Sequence, residues 1–453
     1  MELFIVELAR YVIILLFGLY TFYAFRAFAG RNREGQEGIF RVQRTLTILL
    51  HTVMSALLIM ENMSLMYVFL WAVECVFYVV FIKIYQTCYK GLSKLVLNNM
   101  MMCMMIGFVM LGRLNTNYAI RQLVMASIAM VVCIFVPLFI ERFKILERLG
   151  WQYALVGILF LLLVFVIGVE KYGSRNWIQV GGISLQPSEF VKILYVFFMS
   201  SLLAKTTRFK HVVLITCVAA VHVIILVAEK DLGAALIYFV TYIMVLYVAT
   251  MKVSYLVAGL GGGSLAAIVA YRLFAHVRTR VFAWQDPWGR INNEGYQVAQ
   301  SLFAIGTGGF IGMGLGKGLP TSVPVVESDF IFSAISEELG GVFAICLIMV
   351  YLSSYIMFVN IAMKMKKQFY KLTAFGLSVV FIFQVFLCVG GVTKFIPSTG
   401  VTLPLISYGG SSIITTIIIF AIIQGMYVLN GREAERVEEE GKSEEKRGAR
   451  RRK

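Results

Sequence analysis

The 453 residues are 59% hydrophobic and only 15% charged, with a mean hydropathy of +0.82 and a formal net charge of +16. That composition excludes a soluble globular protein. The Lys and Arg residues sit in short links between apolar runs and not on one face, so the charge reads as a topology signal and no nucleic-acid partner is expected.

Apolar runs of about 17–25 residues recur along the chain, each long enough to cross a bilayer, which predicts an all-α polytopic membrane protein of thirteen spans. The first run is too long for a signal peptide and is expected to stay as a helix. Three spans fall in residues 1–94 and ten in 95–430, with a large extracytoplasmic loop at 274–329. Residues 431–453 mix Glu with Arg and Lys and predict a disordered cytoplasmic tail. Its basic end, RGARRRK, suits anionic head groups or plain solvation. With the C-terminus in the cytoplasm, most of the 41 basic residues lie inside. An odd number of spans then puts the N-terminus and the long loop outside.

The seven cysteines form no C-x-x-C pair and support neither a disulfide framework nor a zinc site. Arg10, His51, Glu74 and His222 read as edge or helix-packing residues. The small-residue run GLGGGSLAA permits close helix contact.

Four polar clusters fall on the outer side. In KYGSRNWIQVGGISLQPSEFVK (171–192), Glu189 and Lys192 lie three apart on one helix face, where mutual neutralisation is as good a reading as chemistry. Arg175 and Trp177 fit an interfacial anchor equally well. In EKDLGAA (229–235), Asp231 suits a helix cap as well as a ligand. The long loop carries GTGGFIGMGLGKG, which reads as a phosphate approach or as a compact re-entrant turn. It ends on Asp329 before DFIFSAISEELGG, with Glu337 and Glu338 about 12 Å further along the helix. Intramembrane carboxylates are costly unless paired, so these three acids are the leading functional candidates. In KFIPSTGVTLPLISYGGSS (394–412), which contains Ser407 and Gly409, prolines and glycines predict a broken helix or re-entrant loop, tolerable only where it is packed by protein or lines a cavity.

No nucleotide-binding fingerprint is present, so a transferred sugar has to arrive on a lipid carrier. An outer carboxylate then acts as general base while Arg and Lys stabilise a departing pyrophosphate. This chemistry alone does not separate group transfer from lipid transport.

Four strings, SRNWIQVGGISLQPSEFVK, DLGAA, the run from DPW to ESDFIFSAISEELG, and IPSTGVTLPLISYGGSS, resemble the SEDS family of bacterial cell-wall proteins (FtsW, RodA and SpoVE). The resemblance covers roughly residues 95–430, a ten-span core preceded by about three extra transmembrane helices. It implies a multi-pass protein of the bacterial cytoplasmic membrane that polymerises lipid II into glycan strands, releasing undecaprenyl diphosphate. It implies Asp329 as the catalytic base, and Arg175, Glu189, Lys192, Asp231, Glu337, Glu338, Ser407 and Gly409 as substrate-binding residues. A class B penicillin-binding protein and other divisome or elongasome membrane proteins are the implied partners. No cofactor is implied, and a divalent cation beside the diphosphate is compatible. Lys230 before DLG and Thr402 depart from the prolines usual in the family. A flippase of lipid-linked precursor and a non-catalytic scaffold are the alternatives.

Overall fold

In the computed structural model the described residues are 2–29, 33–89, 91–171, 174–180 and 183–451. Side chains after Arg432, and that of Arg175, lie outside the description. The extension folds as α1 (Glu2–Ala29), α2 (Arg33–Asn62) and α3 (Leu65–Cys88). Then come α4 (Lys94–Leu114), α5 (Thr116–Cys133), a short α6 (Val136–Arg142) and α7 (Gly150–Ile167). Three strands follow, β1 (Val169–Lys171), β2 (Ser174–Val180) and β3 (Ile183–Leu185). The next helices are α8 (Pro187–Lys205), α9 (Phe209–Ala228), α10 (Leu232–Thr250) and α11 (Val253–Leu273). The long loop contains α12 (Ala275–Gln285) and α13 (Tyr296–Gly308). The chain closes with α14 (Ile331–Lys364), α15 (Gln368–Val392) and α16 (Gly410–Arg451).

Thirteen helices among the described residues are long and apolar enough to cross a membrane, the number expected. The membrane part of α4 is wholly buried, and its run MMMCMMIGFVM fills the centre with unbranched side chains suited to irregular gaps. On α11, Gly259 and Gly263 seat the Ile243 and Phe239 side chains of α10, so the small-residue run does permit close contact.

Two features exceed the sequence expectation. The first polar cluster carries an antiparallel sheet of order β1-β2-β3, with Ile178 opposite Leu185, just before the Pro187 that opens α8. The backbone of α16 is helical to Arg451, where an irregular tail was expected. Its Glu, Arg, Ala and Lys residues are good helix formers.

The α14 helix is broken at Gly340, whose φ is 87°. The glycine-rich loop packs into the break as a re-entrant turn: Met313 N donates to Glu337 O and Gly314 N to Glu338 O, each at 2.9 Å. Gly341 N returns a bond to Gly309 O at 2.8 Å. A Cβ on Gly340 would lie 2.4 Å from Gly312 N, so the approach excludes a side chain. The part of α14 after the break is about 36 Å long at 1.5 Å per residue, enough to span a hydrocarbon core of about 30 Å unaided. Glu337 and Glu338 lie in the short segment of α14 before the break, and both are buried by protein.

Candidate functional site

One cavity of about 660 Å³ opens on the side of the molecule that carries the sheet and the long loop. Its walls come from α5 (Arg121, Gln122), from the sheet (Asn176, Trp177) and from Lys230 and Asp231 before α10. Arg280 of α12, residues Glu327–Asp329, and Thr399, Gly400, Thr402 and Tyr408–Ser412 of the segment before and at the start of α16 also line it.

Asp329 lies two residues ahead of α14 and is half-buried. The strand of chain that carries it is pinned by the segment before α16: Tyr408 N donates to Glu327 O at 2.7 Å, and the Ser407 hydroxyl donates to Ser328 O. Ser328 Oγ in turn donates to Asp329 Oδ1 at 3.1 Å. Gly400, at φ 72°, leaves room for the carboxylate. A Cβ there would stand 3.3 Å from Asp329 Oδ2 and 3.7 Å from an Arg280 Nη. Arg280 is fixed by donating to Ser398 O at 3.0 Å. Burial pushes the Asp329 carboxyl up to about 6, while the Ser328 hydroxyl and the Arg280 guanidinium hold it back. Burial likewise pulls Arg280 below the ordinary arginine value, against the opposing pull of Asp329 and Asp231.

Asp231 is the helix cap that the sequence allowed, and it also lines the cavity. Its Oδ1 caps α10 by accepting from Ala234 N at 3.0 Å. Its Oδ2 accepts from Asn176 Nδ2 at 2.8 Å, Gln186 Nε2 at 2.9 Å and Ser188 Oγ at 3.2 Å, binding the sheet to α8 at the cavity wall. Two residues earlier, Glu229 is buried with no partner for either carboxyl oxygen among the described residues. Burial and the neighbouring Asp231 push it up to about 8, so it is mostly protonated at neutral pH.

Glu189, Lys192, Glu337 and Glu338 do not line the cavity with Asp329. Glu189, half-buried, and Lys192, buried, form an ion pair 2.6 Å apart. Lys192 also donates to Gln384 Oε1 at 2.9 Å and Thr415 Oγ1 to Glu189 Oε2 at 3.0 Å, so the pair ties α8 to α15 and α16. It meets the cavity indirectly, through Gln384, whose Nε2 reaches Thr402 and Ser412, and through Thr415, whose hydroxyl also meets the carbonyls of Ser411 and Ser412. Glu337 accepts from Leu319 N at 3.0 Å. Glu338 accepts from Arg113 Nε and Gly316 N, each at 3.1 Å. Both acids therefore hold the glycine-rich loop, because its unpaired amides need acceptors there. Ser407 is buried and turned inward, a positioning residue for Ser328. Gly409 does line the cavity, and Arg175 is placed by its backbone in β2. No group of three or more His, Cys, Asp or Glu side chains suited to a metal is assembled among the described residues.

Sequence reasoning missed Gln122, which donates to Ser407 O at 2.9 Å, and Gln384. Each is an amide on an otherwise apolar span, the one signal that was available. It also counted Arg121 and Arg280 only as topology charges.

Residues 91–429 match the FtsW/RodA/SpoVE family, described as cell cycle protein. The chain is 38% identical over 322 residues to the peptidoglycan glycosyltransferase RodA of Mycobacterium tuberculosis, covering 67% of this chain and 69% of that one. It is 33% identical over 318 residues to the stage V sporulation protein E of Bacillus subtilis, covering 67% and 85%. Among solved structures it resembles a chain from work on the structural coordination of polymerization and crosslinking by a peptidoglycan synthase complex. That match has a TM-score of 0.64 and 24% identity, over 75% of this chain and 98% of that one. The rod shape determining protein RodA of Thermus thermophilus matches with a TM-score of 0.56 and 24% identity, over 75% and 97%.

Proposed function

The chain belongs to the FtsW/RodA/SpoVE family, and from that premise we propose that it is a peptidoglycan glycosyltransferase in which Asp329 is the general base. Its substrate is lipid II, presented at the outer face of the bacterial cytoplasmic membrane. Asp329 takes the proton of the acceptor sugar hydroxyl as that oxygen attacks the anomeric carbon of the donor. The anomeric carbon–oxygen bond to the diphosphate breaks, and undecaprenyl diphosphate leaves with the electron pair. Arg280, Arg121 and Lys230, which share the cavity with Asp329, are the cations available to the departing diphosphate.

One observation carries this reading: a carboxylate raised to about 6 opens onto a cavity of about 660 Å³ walled by three cations. At neutral pH such a group is ionised yet more basic than an exposed aspartate, as a general base requires. Asp231 is less suited to proton transfer, because both its oxygens already accept hydrogen bonds. The reading invokes no organic cofactor. A divalent cation, where used, belongs on the diphosphate.

The N-terminus lies outside and the C-terminus in the cytoplasm, which puts Asp329 on the wall side. The partner is a transpeptidase of the class B penicillin-binding type, consistent with the synthase complex that the fold resembles. The test is purified protein, with its partner, incubated with lipid II and scored for glycan chains. Wild type forms chains and Asp329→Asn does not. Chain synthesis by Asp329→Asn at a rate near that of wild type overturns the assignment, as does cysteine labelling that places residue 329 in the cytosol.

A further inference from the structure

The family match begins at residue 91, and the solved relatives, matched over nearly all of their own length, cover only 75% of this chain. The residues ahead of that match are not idle packing. On α1, Phe17 stacks on Phe343 of α14 at 4.2 Å, three residues past the Gly340 break. Tyr20 OH donates to Asn99 Oδ1 of α4 at 2.9 Å, and Asn99 Nδ2 donates to Ser353 and Ser354 of α14 at 3.3 and 3.2 Å. These buried contacts fix where α1 sits.

At its outer end the extension reaches the glycine-rich loop itself. Arg10, held by Glu7, donates from Nη1 to Gly312 O at 3.1 Å. Glu61, at the end of α2, stands 3.7 Å from Lys317 Nζ. Val6 lies 3.2 Å from where a Cβ on Gly314 would be. Gly312 abuts the α14 break, and Met313 and Gly314 bond to the carbonyls of Glu337 and Glu338. The loop therefore braces the short first segment of α14, whose head is the Asp329 strand.

We propose that the N-terminal extension is a built-in clamp on the glycine-rich loop, with Arg10 and Glu61 as positioning residues that set the turnover of the glycosyl transfer. The proposal rests on the functional reading above for what the turnover is, but not for the clamp itself. Arg10 and Glu61 act through the loop and touch no cavity residue. Their removal alters how well Asp329 is held and not what the cavity binds.

The test uses the full-length protein with Arg10→Ala and Glu61→Gln combined. Hydrogen exchange of residues 309–318 and kcat and KM for lipid II are measured together. Exchange in the loop rises, exchange in α15 and α16 holds, kcat falls by about tenfold and KM is unchanged, the split expected of a displaced catalytic group. Arg10→Lys retains most of the rate. Glu61→Lys loses it, and adding Lys317→Glu restores it, a rescue that also carries the test should the first variant fail to fold. Unchanged exchange in the loop overturns the clamp, as does raised exchange with wild-type kcat. Wild-type protein that makes no glycan overturns the functional reading instead, and loop exchange then judges the clamp alone.

Discussion

The Ser407 hydroxyl accepts from Leu403 N at 2.8 Å and donates to the carbonyl of Ser328, the residue before Asp329. One hydroxyl thus joins the segment preceding α16 to the strand that carries the proposed base. Ser407→Ala removes both bonds at a stability cost of about 1–2 kcal/mol. It is expected to lower kcat by about tenfold or more, because a small displacement of the base suffices. Steady-state kinetics beside thermal unfolding separates the two. A rate loss no larger than the unfolded fraction accounts for sinks the positioning role.

The raised Asp329 carboxyl predicts the pH profile. Polymerisation rises with pH through about 6 and levels above it, because only the ionised form accepts a proton. The stability effect runs the other way. The folded state holds this proton more tightly than the unfolded chain, whose carboxyl has its ordinary value of 3.8. The stabilisation from the raised value is thus complete below about 3.8 and lost as pH rises through about 6. Asp329→Asn should therefore melt higher than wild type above pH 6, with the gain shrinking toward pH 4, while its polymerisation falls by about 10²–10⁴. Unfolding scans across pH check the first half and chain synthesis the second.

The Glu189–Lys192 pair, with its lysine buried, predicts strong non-additivity. Either partner alone, as Glu189→Gln or Lys192→Met, leaves an uncompensated charge and costs about 3–5 kcal/mol. The double variant removes both charges and should recover much of that loss. Thermal melts of the four proteins close the cycle. Additive losses would show the two side chains to be uncoupled, against the 2.6 Å contact.

The spans were legible because burial in lipid demands long apolar runs, and Asp329 stood out as a candidate because an acid at the mouth of one is costly unless paired. Other residues could not be sorted from spacing. Glu337 and Glu338 read as intramembrane acids in need of a partner, but the loop they hold could not be foreseen, because it packs into a break at Gly340, and a break set by one glycine's φ leaves little trace in composition. Asp231 was undecided between cap and ligand because its further partners, Asn176 and Gln186, lie 55 and 45 residues away. Arg280 was invisible as a site residue for the same reason: only the fold brings it beside Gly400 and Asp329.

Arg113 and Glu338 supply the last prediction. The Glu338 side chain is fully buried, and its compensation is the Arg113 guanidinium at 3.1 Å and the Gly316 amide. Arg113 also donates to the carbonyls of Gly316 and Gly318 at 3.1 and 3.3 Å, so one cation satisfies both the acid and the loop that wraps it. Arg113→Ala therefore strands a buried carboxylate and two carbonyls, a loss of about 3–5 kcal/mol. Glu338→Gln keeps one acceptor oxygen and so loses one of the two bonds, but it strands no buried carboxylate and should cost less. Were Glu338 a group that touches substrate, the order in activity would be the reverse, with the Gln variant the more damaged of the two. Melting temperatures and polymerisation rates for both variants decide it: a stable, inactive Glu338→Gln returns that acid to the chemistry, and an unstable Arg113→Ala beside an active Glu338→Gln keeps it in the scaffold.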